Sequence, residues 1–198
     1  MTDNWTGAGI FIVQTFFGLY VLFLVIRFLM QASRADYYNP ICQSIVRLTD
    51  PAIKPFRLFF PPIGVLDTAT LASAILVQSL AICLIMAIAG NSLFNFIYLA
   101  WAVVGILSDI LNIYFFSLLI LVIASWIAPY SSHPIILLVQ QITDPLCKPA
   151  RKLVPSMGGL DFSLILVFVV VNLLDNFLLV RPLAVFFGVP NGLISGLY

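Results

Sequence analysis

The sequence contains no glutamate and a single histidine, His133. Its eight acidic residues are all aspartate, and only 9% of its 198 residues are charged. A soluble domain carries roughly 25% charged residues. So little charge cannot solvate the surface of a chain this long, which excludes an ordinary water-soluble domain. Lone His133 and scattered aspartates offer no metal-ligand spacing and no Ser/His/Asp or Cys/His catalytic set. Three cysteines, Cys42, Cys83 and Cys147, form no close pair, so they read as free, mostly buried thiols rather than a disulfide framework. There is no Gly-rich phosphate loop and no CxxCH haem-attachment motif. The net charge of +1 gives no reason to expect a nucleic-acid partner. No cofactor and no enzymatic activity are expected.

What is abundant is apolar. Hydrophobic residues make up 62% of the chain, and the mean hydropathy is +1.12. An integral membrane protein is the class this composition defines. The first apolar run has no basic segment before it and no small-residue cleavage site after it, so it reads as a membrane span and not a removed signal peptide. No Arg/Ser-rich transit segment is seen either, which points to a bacterial protein.

One stretch occurs twice, 94 positions apart and without a gap. Between 37–68 and 131–162, 12 of 32 positions are identical. The first copy holds Asn39, Pro40, Thr49, Asp50, Pro51, Lys54, Pro55, Arg57, Pro61, Gly64 and Asp67. The second holds His133, Pro134, Thr143, Asp144, Pro145, Lys148, Pro149, Arg151, Pro155, Gly158 and Asp161. Such self-similarity at a fixed offset defines a tandem repeat.

A membrane-crossing helix needs about 20 apolar residues. Spans are expected over about 7–29, 69–90, 101–126 and 162–182. Eight of the nine Lys/Arg lie in or beside the two motif segments: Arg27, Arg34, Arg47, Lys54, Arg57, Lys148, Arg151 and Lys152. The positive-inside rule then places both segments in the cytoplasm. An even number of crossings must separate them, which favours two spans over three within 68–128. Trp101 and Trp126 are expected at opposite interfaces. The expected fold is therefore all-α, with four transmembrane helices as two parallel helix–motif–helix repeats. Residues 1–90 form the first repeat, 91–100 an interfacial connector, 101–184 the second repeat and 185–198 a tail.

Within each motif, Pro40 and Pro134 suit a first helical position, where the missing N–H is not needed. Asn39 is a good N-cap and His133 a poor one. A short amphipathic helix is expected to follow, its apolar face formed by Ile41, Ile45 and Leu48 or by Ile135, Val139 and Ile142. Asp50-Pro51 and Asp144-Pro145 are expected to restart the chain, and pre-proline Lys54 and Lys148 to stop it again. Contacts are expected between Asp50 and Arg57 and between Asp144 and Arg151. Gly64 and Gly158 supply turns, and Asp67 and Asp161 cap the next span. Such a motif works as a rigid elbow, and its cations and apolar face also suit docking of a membrane-protein partner or an anionic lipid.

The remaining chemistry is intramembrane. Asn172, Asp175 and Asn176 share a helix face by spacing, Asp109 and Asn112 lie at matching depth, and Gln78 is the repeat mate of Asn172. These six residues are expected to face one another or water and not lipid, with Arg181 as a candidate counter-ion. They serve as interhelical glue or, in a homo-oligomer with more helices, as an ion path.

The doubled NP…TDP-x-x-KP-x-R…P-x-x-G-x-LD pattern resembles the YggT family of small membrane proteins, which includes the YlmG proteins. Residues 27–32 and 124–127 are similar to that family's span ends. Two positions depart between the copies: Leu121 stands for Arg27, and His133 for Asn39. The resemblance implies a multi-pass protein of the bacterial inner membrane, with the bilayer and a protein partner as its contacts. Plastid relatives are associated with haem attachment in cytochrome assembly. Bacterial relatives are linked to division or envelope organisation, osmotic tolerance and ion uptake. The implied role is a scaffold or assembly factor, with a small ion or osmolyte transporter as the alternative.

Overall fold

The chain is described by a computed structural model covering residues 4–127, 131–153 and 162–193. Helices α1 (Asn4–Ala32), α3 (Thr68–Ile88) and α4 (Ile97–Ile127) are each long and apolar enough to cross a membrane. So is the helical stretch Ser163–Phe186. It comprises α6 (Phe162–Leu173), a π-helical turn (Leu174–Leu178) and α7 (Val180–Phe186). Two further helices, α2 (Pro40–Ile53) and α5 (Pro134–Leu153), lie between the spans of each repeat. The order helix–elbow–helix thus occurs twice, with α1, α2 and α3 matched by α4, α5 and α6.

Much of the spans' surface is apolar and uncovered. Phe11, Phe16 and Leu19 on α1 and Leu119, Ile120 and Ile123 on α4 are all exposed. Water would not tolerate such a surface, whereas lipid tails are as apolar as these side chains. The buried residues form three clusters, the first of which also takes in Ile106, Leu138 and Ile142 of the second repeat. Val21, Leu24, Val25 and Met30 pack with Cys42, Ile45 and Ile53. Leu111, Leu118 and Leu121 pack with Val139, Cys147 and Val167. A third cluster at the end remote from the elbows gathers Ile82, Met86, Tyr98 and Trp101.

Several local expectations change. The Asp-Pro steps do not restart the chain: α2 runs unbroken through Pro51, and α5 through both Pro145 and Pro149. Proline removes one helical hydrogen bond and crowds the preceding turn. Here the buried face outweighs that cost, because Cys42, Ile45, Thr49 and Ile53 are all buried and bridge the proline. That face is also rotated from the one expected. Leu48 and Ile135 are exposed, while Thr49 and Thr143 point inward. Trp101 is not a lipid-facing anchor. It is buried, and its indole Nε1 donates to the Phe187 carbonyl at 2.9 Å. The connector is shorter than 91–100, since α4 already begins at Ile97.

Candidate functional site

The first elbow is built from the end of α1 outward. Arg27 is only 3% exposed. Its Nη1 donates to the Val46 carbonyl at 3.0 Å and to Thr49 Oγ1 at 2.7 Å. Its Nη2 meets Asp50 Oδ1 at 2.8 Å. A guanidinium offers five donors in a rigid fork, and three protein acceptors are matched to it here. Thr49 in turn donates to the Ile45 carbonyl at 2.6 Å, one turn back. The buried cation therefore fastens α2 to the first span. Arg27 holds the Asp50 carboxyl below the usual aspartate range, chiefly through that hydrogen bond and against the opposing effect of burial.

The expected Asp50–Arg57 contact does not form. Arg27 occupies Asp50, and Arg57 instead reaches Asp67 Oδ2 at 3.7 Å. Asp67 is buried and caps α3: Oδ1 accepts from the Thr70 N–H at 3.1 Å and Oδ2 from its hydroxyl at 2.8 Å. Gly64 sits at φ 63°, in the left-handed region that glycine adopts freely, and lets the chain turn between Ile63 and Leu66. The Thr68 hydroxyl donates to the Pro61 carbonyl at 2.7 Å and closes the loop. Pro55 precedes a single 3-10 turn, Phe56–Leu58, and Lys54 is exposed at the end of α2.

In the second elbow Leu121 replaces Arg27 and is buried among Val139, Cys147 and Ala150. Asp144 turns to its own helix. Lys148 Nζ lies 2.9 Å from Oδ2, and Arg151 Nη1 lies 3.8 Å from Oδ1, so the expected Asp144–Arg151 contact is present but loose. Thr143 is buried and bonds only back along α5, to the Val139 and Gln140 carbonyls. Pro155, Gly158 and Asp161 lie outside the described residues.

The two elbows touch. Asn39 Oδ1 caps α2 by accepting from the Ile41 N–H at 2.9 Å, and its Nδ2 donates to the Pro134 carbonyl at 2.7 Å. The Asp36 N–H donates to Gln141 Oε1 at 3.0 Å. His133 does the capping work after all, its Nδ1 accepting from the Ile135 N–H at 3.3 Å. Both motif segments therefore sit at one end of the bundle, as parallel repeats require. Arg34, Arg47, Lys54, Arg57, Lys148, Arg151 and Lys152 are all exposed there.

The intramembrane residues divide. Gln78 and Asp109 line one cavity of about 520 Å³ together with Gln14 and Thr15, under Gly192 and Leu193. Gln14 Nε2 donates to the Gly192 carbonyl at 3.1 Å and draws the C-terminal segment over that space. Gly105 allows the approach of α3 to α4, since a Cβ there would lie 3.1 Å from Gln78 Nε2. Asn172 and Asn176 instead bond along their own helix, to the Phe168 and Asn172 carbonyls. Asn112 Nδ2 reaches Ser108 Oγ at 3.4 Å, also within its helix. Asp175 lies in the π-helical turn, within reach of the charge of Arg181. Gln14 and Thr15 were missed from the sequence, although the 94-residue offset makes them the mates of Ser108 and Asp109.

Four apolar spans in two helix–elbow–helix halves define a multi-pass membrane protein. The CCB3/YggT family matches the chain twice, at residues 6–88 and 100–182, and the chain belongs to that family. An uncharacterized protein of Pseudomonas aeruginosa is 43% identical over 188 residues, covering 94% of this chain and 95% of its own. The uncharacterized protein YggT of Escherichia coli K12 is 35% identical over 168 residues, covering 82% and 86% respectively. A Vibrio alginolyticus protein described by its place in the proC 3' region is 35% identical over 161 residues, covering 80% and 86%. No solved structure matches the chain.

Proposed function

We propose that this protein is a non-enzymatic scaffold or assembly factor of the bacterial inner membrane, and that its two elbows form one docking platform for a membrane-protein partner. The observation that supports this most is the direct joining of the elbows through Asn39 and Pro134 and through Asp36 and Gln141. A motif used only to turn the chain twice has no need to fuse its copies. The fused surface carries seven exposed cations, and the positive-inside rule turns such an end toward the cytoplasm. Arg57 is exposed there in a loose ion pair of 3.7 Å, so a partner's carboxylate can compete for it, and Arg151 is exposed on the second elbow. Affinity purification in mild detergent tests the reading. The double variant R57Q/R151Q should lose the proteins that accompany the unaltered chain, while D175N keeps them. Unchanged recovery from R57Q/R151Q would count against a docking role.

A second reading is transport of a small ion or osmolyte, with a role in osmotic tolerance. The cavity lined by Gln14, Thr15, Gln78 and Asp109 favours it, because an intramembrane carboxylate among amides suits a cation. Protein in liposomes should then show a flux that D109N removes. Vesicles with protein that leak no faster than empty ones would exclude this reading.

A further inference from the structure

We infer that the cavity at the first elbow is a binding site for the phosphate of an anionic phospholipid. This site stands apart from the docking of a protein partner, and either can hold without the other. The cavity has a volume of about 610 Å³, and its lining includes Arg27, Gln31, Arg34, Tyr37, Asp50 and Arg57. Its charged lining is three arginines against one aspartate. Arg27 is held by Val46, Thr49 and Asp50, and Arg57 is held loosely by Asp67. Arg34 makes no ion pair within 4.0 Å among the described residues, and it is exposed at the cavity mouth. Two available guanidinium groups beside a fixed third suit a phosphate, which guanidinium binds in bidentate fashion.

The backbone at Arg34 points the same way. Helix α1 ends with the Arg34 N–H bonded to the Gln31 carbonyl at 3.1 Å and the Ala35 N–H to the Met30 carbonyl at 2.8 Å. This is a Schellman ending, whose left-handed residue is usually glycine. Arg34 occupies it at φ 55°, the one non-glycine residue with positive φ among those described. The fold would be better served by glycine at this position. Strained residues gather at ligand sites, where the side chain has a use that offsets the strain.

The surroundings distinguish a lipid from a free phosphate. The site lies where α1 ends and α3 begins, which is headgroup depth for both spans. On either side of its Gly64–Val65 edge, the chain neighbours Ile63 and Leu66 are 70 and 44% exposed. Such an apolar rim fits acyl chains, and the cationic floor fits the head they carry. The second repeat has Leu121 and Ala128 at the mates of Arg27 and Arg34, so the site belongs to the first copy alone.

The test is thermal unfolding and native mass spectrometry of the full chain in a neutral detergent. Dioleoyl phosphatidylglycerol, dioleoyl phosphatidylcholine or inorganic phosphate is added in separate arms. Phosphatidylglycerol should bind and raise Tm; phosphatidylcholine should do so far less and inorganic phosphate not at all. R34G should weaken the apparent affinity for phosphatidylglycerol about fivefold, while its Tm without lipid equals or exceeds that of the unaltered protein. R34K should retain most of the binding, and R34N, also at ease with positive φ, should behave as R34G. Equal effects of the two lipids, an equal effect of inorganic phosphate, or full binding by R34G or R34N would overturn the inference. So would failure of both R34G and R34N to fold.

Discussion

The two elbows share twelve residues over 32 positions but are held by different means. In the first, a buried arginine from the preceding span reaches across to Thr49 and Asp50 and ties α2 to α1. In the second, the same span position is Leu121, and Asp144 pairs with exposed Lys148 one turn along its own helix. The motif's threonine and aspartate are thus used differently in the two halves. Only the first half supplies them with a cation from the preceding span. The half lacking it relies on apolar packing of Leu121 with Val139, Cys147 and Ala150. One substitution at a span end changes the duty of two residues in the motif 22 and 23 positions further on.

This difference can be broken at Arg27 first. R27L copies the second repeat into the first but leaves the Asp50 carboxylate without its cation. A loss of about 2.5 kcal/mol is expected in detergent unfolding, since buried Arg27 gives up three polar contacts, one of them to a carboxylate that is itself 32% exposed. R27L/D50L should cost clearly less than R27L alone, and equal losses would mean that the pair is not coupled. At the caps, N39A removes both the α2 cap and the link to Pro134, for about 1.5 kcal/mol. H133A removes a longer, exposed bond, for about 0.5 kcal/mol by the same measurement.

Acid should also separate the halves. The Asp50 carboxyl is held below its usual range in the folded protein, so the unfolded chain binds that proton more readily. The pair's stabilisation is complete above about pH 4, the ordinary aspartate value, and is lost as pH falls through the folded-state value. Melting curves from pH 6 downward should show this acid limb, and D50N should lack it. The smallest effect is expected from K148A. Its ion pair is exposed, with side-chain accessibilities of 69 and 35%, and about 0.3 kcal/mol is typical of an i,i+4 pair.

Much of the fold was legible because its signals are long-range in sequence or strongly periodic. Apolar runs of span length gave the four crossings, and the fixed offset gave the doubling. Asn39, Gly64 and Asp67 were legible because capping and positive φ each require particular side chains. The ion pairs were not. Asp50 and Arg57 are near in sequence, but Arg27 is nearer in space, and only the packing of α1 on α2 shows it. Continuity through Pro51 was hidden for the same reason, since the buried face that outweighs proline's cost includes Thr49. Gln14 and Thr15 were legible in principle. Applying the 94-residue offset to Ser108 and Asp109 points straight to them.

The joining of the elbows at one end of the bundle can be measured by cross-linking. Cysteines placed at Asp36 and Gln141, in a C83S background with Cys42 and Cys147 left buried, would be treated with a short bifunctional maleimide. A control pair would combine Gln141 with Asn91, in the connector at the far end. An intrachain cross-link between 36 and 141, and none between 91 and 141, is the expected result. Cross-linking of 91 to 141, with 36 and 141 left unjoined, would contradict the account.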